Sequence, residues 1–246
     1  MGALKASSFR REVRLTRYYA LGLTLFAGFV LLGAVHEATH DATFDTLTVH
    51  RINVVDREGK LALVITNHDD YPPPIVNGRR LQRQGLKSEN GFVFYNRLGN
   101  EQGALVWDGR RRANGFSSSN ALLFDSVQTD QLVGVEDGND NGKATAGLIG
   151  WNEAPLTNAF LDLIEQYQRL TTPATRRAFA SAHPELRNSF LMRFFVGYGE
   201  DNTAQVVLAD DRARPRIKMF VAADGTARLQ FLDARGSVTA QYPPTP

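Results

Sequence analysis

The residues with the most recognisable chemical spacing are His36, Glu37 and His40, which fit the pattern H-E-x-x-H. On a helix, two histidines four residues apart face the same side and can bind zinc, while the glutamate activates a water molecule. The motif directly follows an apolar run, however, and the sequence beyond it is strand-like, whereas a zinc hydrolase needs a second helix that carries a third ligand. We therefore predict no catalytic site and no committed metal site, and keep a zinc hydrolase with His36 and His40 as ligands as a distant alternative.

A second candidate is the stretch 136–143, where Asp137, Asn139 and Asn141 match the first half of a calcium-binding loop. The twelfth position of such a loop carries a bidentate glutamate, and here that position is Leu148. Asn, Asp and Gly are also the residues that turns use, and the flanking sequences are typical of strands. The interpretation is a polar hairpin loop without a cofactor, with weak calcium binding as the alternative.

The remaining candidate residues are also more typical of a structural role than of a reactive site. The chain has no cysteine, which excludes thiol catalysis and disulfides. The serines at 117–119 lack a G-x-S-x-G nucleophile motif, and Asp125 and Asp130 are predicted as exposed acids of a hairpin turn. The strand aromatics, among them Trp107 and Trp151, could stack on a sugar but are typical of packing within a sheet. We predict that the protein is not an enzyme.

The elements that would position any site are repeated strand–turn–strand units. An Asp or Asn opens a type I turn, and a Gly three residues later supplies the left-handed conformation that closes it. Alternating apolar residues on either side predict half-buried strands. The pattern indicates an all-β fold of repeated hairpins and leaves open a sandwich, a partly closed barrel or propeller-like blades. The predicted turn residues are Asp56, Gly59, Asn96, Gly99, Asp224, Gly225, Asp233 and Gly236.

One helical insertion interrupts the hairpins at residues 156–183. Leu156, Phe160, Leu163 and Tyr167 recur at steps of three and four, which predicts an amphipathic helix. Thr172 followed by a proline predicts the start of a second short helix. The predicted β-repeat domain covers residues 44–241, with a Pro-rich tail at 242–246.

The N-terminal region predicts a membrane segment. Residues 18–35 hold no charged side chain, and at ~1.5 Å per residue a helix of this length spans roughly 27 Å. A basic tail at 1–17 precedes the run and a linker at 36–43 follows it, so we predict a single-pass helix with the N-terminus in the cytoplasm and the remaining chain outside. The alternative is a cleaved signal peptide and a secreted protein.

Charge distribution excludes a nucleic-acid partner. Of the 28 basic and 26 acidic residues, the first 35 positions hold five basic residues and one acid, which leaves 23 basic and 25 acidic residues beyond them. A domain with this balance lacks the basic face that phosphate backbones require.

The hairpin units at 51–67, 89–109, 124–135 and 204–238 together resemble a group of uncharacterised bacterial proteins that carry an N-terminal membrane segment or signal followed by such hairpins. The resemblance implies an all-β, export-associated domain and supplies no site residues. The predicted function is a non-catalytic, membrane-anchored extracytoplasmic scaffold or interaction protein. Its predicted partners are the bilayer, through residues 18–35, and a protein partner or a second copy. The alternative is a module that binds a glycan or calcium.

Overall fold

The computed structural model describes residues 16–28, 42–81, 89–113, 115–186 and 190–244. The chain divides into two units, Met1–Thr48 and Val49–Pro246. In the first unit the described residues 16–28 are helical. Among the described residues no helix combines the length and apolarity needed to span a membrane, so the transmembrane helix predicted at 18–35 is not supported. Residues 29–35, His36 and His40 lie outside the described residues.

One antiparallel sheet of twelve strands dominates the second unit, and the strands follow one another in chain order apart from a separate two-stranded hairpin, β3–β4. This confirms the predicted β-rich fold, and a single meander replaces the blades or stacked sheets that the sequence left open. The strands are β1 (Arg51–Val55), β2 (Leu61–Thr66), β3 (Ile75–Val76), β4 (Arg79–Arg80), β5 (Asn90–Tyr95), β6 (Glu101–Arg112), β7 (Gly115–Ser126), β8 (Thr129–Asp140), β9 (Lys143–Glu153), β10 (Phe190–Tyr198), β11 (Ala204–Ala209), β12 (Pro215–Val221), β13 (Ala227–Leu232) and β14 (Val238–Tyr242).

The hairpin turns repeat one geometry, which the β1–β2 turn illustrates. The Asp56 N–H donates to Lys60 O, and the Gly59 N–H donates to Asp56 O. The Asp56 carboxylate also accepts the N–H groups of Glu58 and Lys60, and Gly59 has φ 82°. A type I turn closed by a left-handed residue forms such a bulged hairpin. The same backbone bonds recur at 96–100, 199–203, 210–214, 222–226 and 233–237.

Two helices are inserted between β9 and β10, where the sequence predicted them: α1 (Asn158–Arg169) and α2 (Pro173–Ala182), followed by the 3-10 turn Pro184–Leu186. Threonine hydroxyls accept the first free N–H groups of both helices, at Thr157 and Thr172. Arg79 of β4 holds α1 through Asp162 and Glu165, at 2.6 and 3.0 Å. Leu161 is fully buried at this junction.

The sheet register assigns every strand residue to one of two faces, because directly paired residues point to the same side. We call one side the open face. Two rows of paired residues cross all twelve strands on this face, and apart from the tyrosine hydroxyl at the end of the first row neither contains a polar side chain. The first row is Ile52, Ile65, Phe92, Leu105, Leu122, Val135, Leu148, Val196, Val206, Met219, Leu229 and Tyr242, and the second is Val54, Leu63, Phe94, Gly103, Phe124, Val133, Gly150, Phe194, Leu208, Ile217, Phe231 and Ala240.

The opposite side, which we call the inner face, carries the buried residues of the sheet. Its central row begins and ends with polar side chains and is apolar between them: Asn53, Val64, Val93, Ala104, Leu123, Gly134, Ile149, Phe195, Val207, Lys218, Gln230 and Gln241. Val64 and Val93 are fully or almost fully buried and form a core cluster with Tyr95, against which Tyr71 and Ile75 pack. The loop that carries β3 thus covers the first strands on this side.

Candidate functional site

A cavity of about 140 Å³ lies where α1 meets the β3–β4 hairpin and the turns after β5 and β7. The turn Asn77–Gly78 has positive φ at both residues, which is the requirement of a tight type I′ hairpin. The Asn77 side-chain amide donates to Leu156 O at 2.5 Å, and the Gly78 N–H donates to the Asn100 side chain at 2.7 Å. These bonds fix the cavity walls, which include Asn77, Asn100, Asp125, Thr129, Asp130 and Leu161.

The electrostatic feature next to this cavity is Glu153, near the end of β9. Burial is the main reason why the pKa of the Glu153 carboxyl is raised to about 8, and the negative charges of the nearby Asp130 and Asp125 carboxylates contribute to the same rise. Its Oε2 atom and the Thr129 hydroxyl are buried, with no hydrogen-bond partner in the described part of the chain. Asp125 and Asp130, which were predicted as exposed acids of a hairpin turn, therefore lie beside a third carboxyl group whose raised pKa favours its protonated form at neutral pH. Such a group can donate a hydrogen bond.

The candidate calcium ligands lie in a regular hairpin. Asn141 and Gly142 form the two-residue turn between β8 and β9, with φ 54° and 89°. The Asp137 carboxylate accepts the Asn120 amide at 2.9 and 3.0 Å, Asn139 Oδ1 accepts the Gly142 N–H, and Asn141 Oδ1 accepts the Phe116 N–H. Over the described residues no group of three or more His, Cys, Asp or Glu side chains is arranged to hold a metal.

The serines at 117–119 line a polar groove of about 400 Å³ with residues of β6, β8 and β9. Arg110 and Asp108 form a close ion pair at the groove, while Arg112 lies 3.8 Å from Asp140 and Lys143 lies 4.0 Å from Glu200. Exposed pairs at such distances contribute little free energy. The groove brings these serines beside neutralised charges.

The strand aromatics divide between the two faces and so do not form one sugar-binding platform. Trp107 and Phe92 are on the open face and meet edge to face, with ring centroids 5.8 Å apart. Trp151 is buried on the inner face, near the position that a Gly134 side chain would occupy. Tyr95 is buried too, and this burial raises the pKa of its hydroxyl to about 12.

The most extensive apolar surface of the sheet is its open face. Large apolar side chains stand exposed along it on both halves of the sheet, including Val135, Leu148, Val196, Met219 and Phe231. Twelve strands at ~4.8 Å spacing give a width of roughly 58 Å, and two rows cover roughly 14 Å along the strands. Ten of the 24 row residues are exposed, and the other fourteen, among them all those of β2, β5 and β6, are half-buried or buried. Scattered exposed apolar residues are ordinary, whereas contiguous apolar patches larger than a few hundred Å² are rare on monomeric proteins.

Sequence reasoning missed this surface because it took each alternating strand to be half-buried. The signal was available in strands such as β11, AQVVLA, and β10, which are apolar at consecutive positions. Strands of that composition are typical of sheets covered on both faces.

Comparison with protein family models, with curated proteins and with solved structures finds no match in any of the three. The resemblance to uncharacterised hairpin-repeat proteins therefore stays a prediction. The case for a function rests on the surfaces and cavities described above.

Proposed function

We propose that this protein is a non-catalytic interaction scaffold whose open face is covered by a protein surface. The observation that carries the proposal is the pair of apolar rows that cross all twelve strands. A sheet buries its apolar side against another layer, because exposed apolar area costs ~25 cal/mol per Å² relative to burial. On the inner face, the chain supplies part of that layer itself. On the open face, a partner supplies it.

Charge favours protein over nucleic acid or an anionic lipid surface as the occupant. Residues 36–246 carry 23 basic and 25 acidic side chains, so this part of the chain has no net positive charge to attract phosphate. The two rows contain no charged residue at all. An apolar protein surface is the complement that such a face fits.

We propose further that residues 18–35 hold the chain at a membrane, with residues 36–246 on the outer side. The basis is the uncharged run and the cluster of basic residues before it. The full chain should then stay in the membrane fraction after alkaline carbonate extraction. Replacement of Leu25 and Phe26 by arginine should release it, while the same change at Leu98 in an exposed turn should not. Release of the unaltered chain would contradict the anchor and would leave the proposal for the open face intact.

The experiment for the scaffold uses the absence of cysteine in the chain, which makes each introduced thiol unique. Met219→Cys places a thiol on the open face, and Lys218→Cys places one on the neighbouring residue of β12, on the inner face. In the native host membrane we expect the thiol at position 219 to react at least about tenfold more slowly with a maleimide than in dilute purified protein. The thiol at 218 should show no such difference. Equal reactivity at 219 in both settings would contradict a covered open face.

A further inference from the structure

We infer that the occupant of the open face is a second copy of this chain, packed face to face so that two twelve-stranded sheets form a sandwich. This inference rests on the proposed function, since it names the partner of the same surface. Two sheets pack in this way at a separation of ~10 Å, with strand directions within ~30° of each other. The interface would be isologous, because each copy contributes the same two rows.

The area of the open face fits a dimer. A width of roughly 58 Å and a depth of roughly 14 Å give on the order of 800 Å² for each copy. A stable protein–protein interface of standard size buries about 800 Å² per partner. The footprint of the two rows is therefore of the size that a specific dimer interface has.

The composition of the open face is compatible with packing against the same face of a second copy. Its two rows carry no charge, so a two-fold arrangement places no like charges opposite each other.

The nearest polar residues of the open face lie at both margins of the two rows. Asn90, Asn120 and Asp137 belong to the row next to the first one, and Asn120 pairs with Asp137 through its side-chain amide. Gln131 and Asn152 lie next to the second row, on β8 and β9. A polar margin around an apolar centre is the usual arrangement of a protein interface. The margin would stay in contact with water while the two rows are buried.

The test follows alkylation of the full chain at a fixed concentration of mild non-ionic detergent while the protein is diluted a hundredfold. With Met219→Cys, we expect the thiol to react about tenfold more slowly at the highest protein concentration than at the lowest, because mass action converts dimer to monomer on dilution. The matched variant Lys218→Cys should react at one rate throughout. Circular dichroism at both ends of the series checks that each variant is folded.

A second pair of substitutions ties the protection to the open face. Leu208→Asp, on the second row, should abolish the protection of the thiol at 219, whereas Gln205→Asp, on the inner face of the same strand, should preserve it. Since both variants carry the same new charge on β11, the contrast reports the face and not the charge.

Three results would overturn the inference. The thiol at 219 could react quickly at every concentration, its protection could persist in Leu208→Asp, or its protection could require added phospholipid vesicles. If purified protein gives the first result while the thiol is protected in the host membrane, the second copy is wrong and the scaffold proposal stands. Fast reaction in both settings removes both.

Discussion

In a domain that covers its own core, the more apolar face of a sheet is the buried one. In this sheet the more apolar face is the open face. The face with the more continuous apolar rows is the exposed one, while the face that carries Lys218, Gln230 and Gln241 is the one that holds the buried residues. Neighbouring residues of β11 show the contrast directly, since Val207 is 6% exposed and Leu208 is 45% exposed. Both are apolar, so side-chain type does not decide their burial.

The sheet has more apolar surface than the other elements of the chain cover. The loop through Tyr71 and Ile75 covers the start of the inner face, and α1 meets the β3–β4 hairpin and the turns after β5 and β7 at one end of the sheet. A single sheet layer is an incomplete architecture by the general rule that domains are built from two packed layers. Completion by a partner accounts for both faces at once.

The sharpest way to break this comparison is to place the same charge on each face of β11. Val207→Asp should unfold the second unit, because burial of an unpaired carboxylate costs about 4 kcal/mol or more. Leu208→Asp should cost about 1–2 kcal/mol in dilute protein, since half of that side chain already meets water. Urea unfolding followed by circular dichroism measures both free energies.

Measurement at two protein concentrations provides the control for these two substitutions. At high protein concentration Leu208→Asp should lose additional stability relative to the unaltered chain, because the unaltered chain then gains the free energy of association. Equal losses for the two substitutions in dilute protein would mean that the two faces do not differ in cover, and the comparison would fail.

Glu153 tests the inner side of the sheet, where it lies on the same side of β9 as Trp151. Its pKa of about 8 exceeds the ordinary value of 4.5, so the folded chain binds more protons than the unfolded chain between these values. Stability should therefore fall as the pH rises from about 4.5 to about 8. Glu153→Gln should remove this dependence and stabilise the protein by about 1–2 kcal/mol at pH 8, a value reduced for partial contact with solvent.

Thermal and urea unfolding between pH 5 and pH 8.5 would measure that effect. Asp130→Asn is the matched variant: it removes a neighbouring negative charge, so it should lower the pKa of Glu153 and shrink the pH dependence without abolishing it. A Glu153→Gln variant with an unchanged pH profile would show that this carboxyl is not the buried group responsible.

Turn chemistry made much of the sheet predictable from sequence. An Asp or Asn followed three residues later by Gly specifies a bulged hairpin, because the side chain accepts backbone N–H groups and Gly adopts positive φ without strain. The same rule could have found the β3–β4 hairpin, since Asn77–Gly78 is a strong hairpin signal. Three prolines at 72–74 precede this dipeptide, and prolines are typical of loops, which obscures the hairpin signal. The same dipeptide at 141–142 was considered as part of a calcium loop because acids surround it.

The open face could not be predicted in the same way. Its rows exist only once twelve strands are paired in register, and the residues of one row come from positions as distant as Ile52 and Tyr242. Alternation within one strand shows that two faces exist but not which of them other elements cover. Cover depends on long-range packing, such as the contact of Ile75 with the Val64 cluster.

The turn at 210–214 differs from the turn at 222–226 in the residue at its left-handed position, which is alanine instead of glycine. Ala213 occupies the left-handed position with φ 58°, where Gly225 stands in the next turn with φ 84°. The left-handed conformation costs a residue with a side chain about 1 kcal/mol, so Ala213→Gly should stabilise the protein by about 0.5–1 kcal/mol, and Gly225→Ala should destabilise it by about 1 kcal/mol. Urea midpoints measure both. A loss of stability in Ala213→Gly would show that unfolded-state entropy outweighs the strain.

The smallest expected effect concerns calcium at the β8–β9 hairpin. The oxygen atoms of Asp137, Asn139 and Asn141 already accept hydrogen bonds within the hairpin and from β7. A calcium ion needs six to eight oxygen ligands at 2.3–2.6 Å, so it would have to displace these bonds. We therefore expect millimolar calcium to move the thermal midpoint by less than about 1 °C, in the unaltered chain and in Asp137→Asn alike. A rise that is present in the unaltered chain and lost in Asp137→Asn would contradict this and would favour the calcium-binding alternative, because only the ionised carboxylate distinguishes the two proteins.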